Sequence, residues 1–375
     1  MTYLDSRRDV TVAEIIEFIN SLVPVQTYSA AFDSRLQSGS AYDPAKLIVL
    51  SPFPFHAVQN DASVNDRTLL ITAQPLFSEK FFTSTLRSDH PTGAILEELI
   101  RHRTAVYTLP ISLTEMRGGM DDALAEELGL TDITILFPTG VERMFKLALF
   151  VPINSLEEVR RAAGEAGAGT IGGYTFCSFE ARGIGTFLPS EQANPFIGQV
   201  GKMEHTEEAR LELRVTERNL HNVIKAALAA HPYEEAVYDI YEIKNPGNEY
   251  GRGRVGALNR KHTIETLVSQ INSVLRLDAF QQARCWPRSN LEIDVLAVCS
   301  GYGVGEEALF AAKTRGVSTL ITGGCTAQDQ FLAQSVGIVL IDIGFSPSVM
   351  PGLQRIASLL REKFEDMEIV CAGQN

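Results

Sequence analysis

The sequence predicts an α/β fold: one discontinuous α/β domain interrupted by a smaller ferredoxin-like α+β insert. Two observations predict it. Apolar strand-like runs alternate with helical segments through both flanks, the pattern of a parallel or mixed sheet covered on both faces. In the middle, two strand–helix–strand units repeat at a constant offset of 64 residues. Leu147, Leu149 and Val151 fall on Leu211, Leu213 and Val215, and Leu156 and Val159 fall on Leu220 and Val223. A register kept across a turn indicates a duplicated βαβ unit, and two such units side by side make a four-stranded sheet with its helices on one face. The expected division is residues 1–141 and 259–375 for the α/β domain and 142–258 for the insert.

In order, Thr11-Val-Ala-Glu14 has the capping-box spacing and opens a helix carrying Ile15, Ile16, Phe18 and Ile19 that stops near Pro24. AAFDSRLQSG reads as a surface loop. KLIVL (46–50) and RTLLIT (67–72) are buried-type strands joined by a proline-rich connector that holds His56. A helix in TGAILEELIRHR, a strand in TAVYTL, a helix in GGMDDALAEELGL ending at Gly129, and a strand in ITILFP complete the first flank. Inside the insert the expected strands are FKLALFVP, GGYTFCSF, ARLELRVT and the second half of HPYEEAVYDIYEI. In this last stretch Pro232 biases His231 away from helical geometry. Leu220, Val223, Ile224, Ala227 and Leu228 give the helix before it one apolar face. The second flank reads as a helix (HTIETLVSQINSVLRL), a strand into the glycine-rich turn Cys299–Gly305, and then alternating helices and strands to a last short strand in MEIVCAG.

Hydrophobic content is 45% and charged content 21%, with a net charge of −13. Such acidity argues against a nonspecific nucleic-acid binder, whose phosphate contacts need a basic surface. Arg252, Arg254, Arg260 and Lys261 cluster in one stretch, which reads as a solvated loop. The five cysteines, Cys177, Cys285, Cys299, Cys325 and Cys371, show no metal or redox spacing and fit a reducing compartment. With no secretory signal pattern and no apolar run of the ~18 residues that span a bilayer, the expectation is a cytoplasmic protein without membrane contact.

The run from AGAGTIGGYTFCSFEARGIGTF through EEARLEL, followed by HPYEEAVYDIYEI and GRGRVGAL, closely resembles the insert of long members of the NIF-three-like family. These proteins are often labelled GTP cyclohydrolase I type 2 and described as dinuclear-metal-centre proteins. The resemblance implies a ring-like hexamer and two divalent metal ions held at strand ends. It also places five ligand positions on this chain. A His-His-Pro after RTLLIT falls on Ala73, Gln74 and the retained Pro75. A bridging aspartate falls on Thr114. A Gly-His with a Glu four residues on falls on Gly344-Phe345 and Val349. A further family histidine aligns with Gln328, beside a retained Asp329. Phe32, Asp33, Leu36, Gln37 and Gly39 fit a family loop pattern whose centre is altered at Ser34 and Arg35.

None of the five residues matches the family ligand, so no metal and no cofactor are expected. Gln328, Asp329, Glu115 and Asp342 lie near the same strand ends and are the candidates for a rearranged hard-ion site. The glycine-rich turn lacks the residues of a nucleotide fingerprint and serves as a tight strand-to-helix turn. His231, Glu234 and Glu235 group a base with two carboxylates, but within a helix-to-strand connection, where a fold or interface role is expected. The leading expectation is a homo-oligomeric binding or scaffold protein, with a small-molecule or protein partner. Its rivals are a metal-dependent hydrolase of a nucleotide or phosphoester and a small-molecule sensor acting through the insert.

Overall fold

The computed structural model describes residues 9–23, 36–54, 67–76, 87–192, 197–279, 281–287, 291–302 and 304–372. The loop positions Phe32, Asp33, Ser34 and Arg35, and His56 in the connector, lie outside them. The chain divides into two compact units, one holding Thr27–Thr139 and Tyr250–Asn375 with the first helix, the other Gly140–Glu249.

The larger unit contains α1 (Val12–Ser21), β1 (Leu36–Ser38), β2 (Leu47–Ser51), β3 (Thr68–Thr72), α2 (Pro91–Arg101), β4 (Ala105–Thr108), α3 (Met120–Glu127) and most of β5 (Thr131–Val141). The smaller unit contains β6 (Met144–Pro152), α4 (Leu156–Glu165), β7 (Ser178–Phe187), β8 (Glu204–Thr216), α5 (Glu217–Ala230) and β9 (Tyr238–Ile243). The chain then re-enters the larger unit with β10 (Glu249–Thr263), α6 (Ile264–Val274), β11 (Arg284–Trp286), β12 (Glu292–Cys299), α7 (Glu306–Thr314), β13 (Thr319–Thr322), α8 (Ala327–Val336), β14 (Val339–Asp342), α9 (Phe345–Lys363) and β15 (Glu368–Cys371).

Two sheets build the larger unit. The first has the order β1-β4-β3-β2-β15, parallel except for β1. Its central strands are apolar on both faces because both are covered. Ile48, Leu50, Leu69 and Ile71 pack with α1 and α9, while Leu47, Val49 and Leu70 pack with Ile95, Leu96 and Leu99 of α2. This alternation follows the two-residue period of a strand. The second sheet has the order β11-β14-β13-β12-β10-β5, parallel through β12, β13 and β14. Leu296, Val298, Ile321 and Ile341 face α3 and α6, and Ala297, Leu320 and Leu340 face α7 and α8. Helix α3 also closes on α9, where a Cβ on Gly352 would sit 2.8 Å from the Met120 side chain. The capping box at Thr11 forms as the spacing predicts, with Glu14 bonding the Thr11 backbone N–H at 2.9 Å.

The smaller unit is an antiparallel sheet of order β7-β8-β6-β9. This is the arrangement two βαβ units give when their first strands lie side by side. Leu147, Leu149 and Val151 and their repeat partners Leu211, Leu213 and Val215 form one core with Val159 of α4 and Val223 of α5. On the other face Lys146 pairs with Glu212 at 2.7 Å.

Three expectations shift. The strand expected in GGYTFCSF starts only at Ser178 and runs on to Phe187. Ahead of it, Gly172 and Phe176 take left-handed φ values of 57° each and hold the segment in a turn. Residues 250–258, assigned from sequence to the insert, belong to the larger unit because β10 pairs with β12, Arg254 opposite Val298 and Gly256 opposite Leu296. The basic stretch is likewise strand and not loop: Arg260 and Lys261 are exposed as expected, but Arg254 is 1% exposed.

The Arg254 guanidinium is fully engaged. Its Nε donates to Asp122 at 2.8 Å, Nη1 to the carbonyls of Gly251 and Gly253 at 2.8 Å each, and Nη2 to the carbonyls of Met116 and Glu115 at 2.7 and 3.3 Å. Its neighbour Asp121, also buried, accepts from the Gly253 N–H at 2.7 Å and from the Ser300 N–H and O–H at 2.8 and 2.5 Å. Burial pushes the Asp121 carboxyl up, opposed by the Ser300 hydroxyl and the Arg254 charge. The paired aspartates at the start of α3 therefore fasten it to β10 and to the turn after β12. Removing one member of such a set leaves charge and carbonyls buried without partners. Arg254→Met is expected to cost about 3–5 kcal/mol of stability, read as a lowered urea midpoint; a loss below about 1 kcal/mol would show that the network is dispensable.

Candidate functional site

The strand ends of the larger unit form the first candidate site, since ligands in α/β sheets gather beyond the carboxyl ends of parallel strands. The chain leaves β12 through Ser300-Gly301-Tyr302, β13 through Gly323-Gly324-Cys325, and β14 through Ile343-Gly344 into α9. These exits are tied together. Ile343 N–H donates to the Thr322 carbonyl at 2.9 Å, and Gly323 N–H to the Gly301 carbonyl at 3.1 Å. Gly301 N–H donates to the Ser348 hydroxyl at 2.9 Å. Two glycines are required: Gly301 holds φ of +67°, and a Cβ on Gly323 would fall 2.0 Å from the Ser348 Oγ.

Phe345 opens α9 and stacks on Tyr302 at 4.8 Å, with the Phe53 ring at 5.0 Å. One turn on, Val349 is 3% exposed and lies in the cluster with Ile48, Leu50 and Leu69, against which Phe345 and Ala73 also pack. Ala73 and Gln74 leave β3 with their N–H groups bonded to the carbonyls of Ser51 and Pro52 at 3.2 and 3.0 Å. The Thr114 hydroxyl donates to the Ile111 carbonyl at 2.7 Å. Divalent centres of this kind want imidazole and carboxylate donors. Three of the five positions here present a methyl, a phenyl and an isopropyl group to one apolar cluster. The residues present do not fit a dinuclear metal centre.

Three of the four candidate rearranged ligands hold local hydrogen bonds of their own, and the fourth stands in solvent. Asp329 caps α8, accepting from the Thr326 N–H and O–H at 2.8 and 2.7 Å. Asp342 accepts from the Gly344 N–H at 2.9 Å. Glu115 accepts from Thr139 at 3.3 Å, and burial raises its pKa. Gln328 is exposed. Among the described residues no three His, Cys, Asp or Glu side chains gather as a metal-holding group.

The smaller unit holds the second candidate, around HPYEE. His231 is 7% exposed. One ring nitrogen, Nε2, lies 3.0 Å from the Phe150 carbonyl, and the other, Nδ1, accepts from the Tyr233 N–H at 3.1 Å. These partners place the proton on Nε2, so His231 fastens the connection to β6 with both ring nitrogens engaged. Glu234 and Glu235 are exposed. The Tyr233 hydroxyl donates to Glu208 of β8 at 3.0 Å. The sequence points to the histidine and the two glutamates. It misses Tyr233 and Glu208, which lie 25 residues apart; the strand alternation of EEARLEL is the only local sign of which way Glu208 faces.

This two-sheet α/β unit with a βαβ-duplicated insert defines a structural class, and sequence comparison places the chain within it. A family model described as Duf34/NIF3 (NGG1p interacting factor 3) matches residues 10–374. The chain belongs to that family. It is 35% identical over 293 residues to a Halalkalibacterium halodurans protein described as a GTP cyclohydrolase 1 type 2 homolog, covering 77% of each chain. It is 32% identical over 339 residues to a Bacillus subtilis protein of the same description, covering 90% of this chain and 88% of that one. Among solved structures, a Bacillus cereus protein related to NIF3 superposes with a TM-score of 0.80 at 29% identity, over 98% of this chain and 97% of the other.

Burial, reinforced by the Glu208 carboxylate, pushes the Tyr233 hydroxyl up to about 12. A raised folded value means stability that is fully present below the ordinary tyrosine range and lost as pH climbs through the folded value. Ultraviolet titration should resolve one tyrosine ionising near 12, and Glu208→Gln should bring it closer to the rest. If every tyrosine ionises together near the free value, Tyr233 is not held as described.

Proposed function

We propose that this chain is a family member whose dinuclear site is degenerate and which acts by binding and assembly, not by metal-dependent hydrolysis. The observation that carries this reading is the apolar packing of Ala73, Phe345 and Val349 against one core. Placing ions there would desolvate them with no donors in return, a cost of many kcal/mol. The curated relatives carry the description of a GTP cyclohydrolase 1 type 2 homolog, which makes GTP the first substrate to test.

The proposed assembly is a homo-oligomer, a hexamer, in the cytoplasm. The strands β7 and β9 are the two edges of the insert sheet and carry exposed Phe179, Ile184, Ile240 and Tyr241. Unpaired edges with apolar side chains invite pairing, and closed symmetry satisfies them without forming fibres. Among the described residues no helix is long and apolar enough to cross a membrane.

Hydrolysis of GTP and of generic phosphoesters, assayed with added magnesium, manganese or zinc, is expected at background. Turnover that copurifies with the protein and scales with its concentration would favour the hydrolase reading. Light scattering of the full chain at micromolar concentration is expected to give a single oligomer; a monodisperse monomer would refute the assembly.

A further inference from the structure

We infer that the cavity of the smaller unit binds a small organic cation, an ammonium or guanidinium group carried on an apolar body. The cavity has a volume of about 590 Å³ and opens between the end of β7 with residues 188–192 and the HPYEE connection. That volume lies within the roughly 300–1,000 Å³ of small-molecule sites. Phe150, Phe187, Leu188, Pro189, Ile197 and Val237 supply apolar walls. Among the described residues that line it, the charged groups are all of one sign: Glu208, Glu234 and Glu235, with no Lys, Arg or His. None of the three is ion-paired among the described residues.

The carboxylate of Glu208 is set in place by its surroundings. It is half-buried and is held by the Tyr233 hydroxyl at 3.0 Å. Its Oε2 lies against Gly185, where an added Cβ would come within 2.2 Å of it. One hydrogen bond leaves most of the carboxylate's acceptor capacity unused. The rings of Tyr233 and Phe187, with centroids 6.1 Å apart, stand beside it and offer faces that attract a cation. A partly desolvated carboxylate without a counter-charge favours a cation and repels an anion of the same shape. The apolar walls select a cation with a hydrophobic body over a hydrated metal ion. This inference does not rest on the state of the cleft in the larger unit, and either can fail alone.

The test is calorimetric titration of the full chain with phenethylamine and with its anionic counterpart phenylacetate. Phenethylamine is expected to bind saturably, with phenylacetate giving no binding heat. Glu208→Gln is expected to weaken the amine about tenfold, the worth of one charge-assisted hydrogen bond. Glu234→Gln, an exposed change that leaves the fold alone, should weaken it by a smaller factor, and Glu98→Gln, outside the cavity, should leave it unchanged. The inference is overturned if phenethylamine shows no saturable binding below about 10 mM, if phenylacetate binds equally well, or if folded Glu208→Gln and Glu234→Gln chains bind the amine as the parent does.

Discussion

The buried contacts of Arg254 and Asp121 are the constraint on which the architecture of the larger unit depends. An insert interrupts this unit's chain between Thr139 and Tyr250, so the returning strand must be fixed against elements made long before it. Arg254 does this by satisfying carbonyls of the segment ahead of α3 and of β10 itself, while Asp121 fixes the backbone of β10 and of the turn that follows β12. A planar guanidinium with five donors suits such a junction, and a lysine could not replace it. Because Asp121 holds Ser300, the same junction sets Gly301, and through Ser348 it reaches the start of α9.

That chain of contacts leads to the strand ends where the resemblance puts the metal ligands. Here the packing runs the other way from a metal centre. Phe345 packs against both Tyr302 and Phe53, and Val349 and Ala73 extend the core out to the strand tips. The aspartates nearby are spent on helix and turn termini. On the proposed reading, Ala73, Phe345 and Val349 put hydrocarbon where the resemblance expects donor atoms, and Gln74 and Thr114 keep only an amide and a hydroxyl.

Much of this was legible in the sequence for physical reasons. The period-two and all-apolar runs of β2, β3 and β6 found their strands, and the Thr11 and Glu14 spacing found its capping box. The constant offset between Leu147 and Leu211 revealed the insert's duplication, because both residues fill the same core. What was hidden depends on partners distant in the chain. Arg254 sits among glycines and reads as solvated, yet its carboxylate partner lies 132 residues away. The three-residue strands β1 and β11 carry too few residues to show a period. The start of β7 is hidden because the aromatics of GGYTFCSF suggest a strand, while Phe176 adopts a left-handed turn. At the cleft the losses of ligand type were visible position by position, but their merger into one apolar cluster required the fold.

The central claim is that the strand-end cleft is packed with side chains that do not coordinate metal. Elemental analysis of protein purified without chelators tests it most directly. The account predicts zinc, iron and manganese well below one ion per chain. Two tightly held ions per chain, retained through gel filtration, would contradict it.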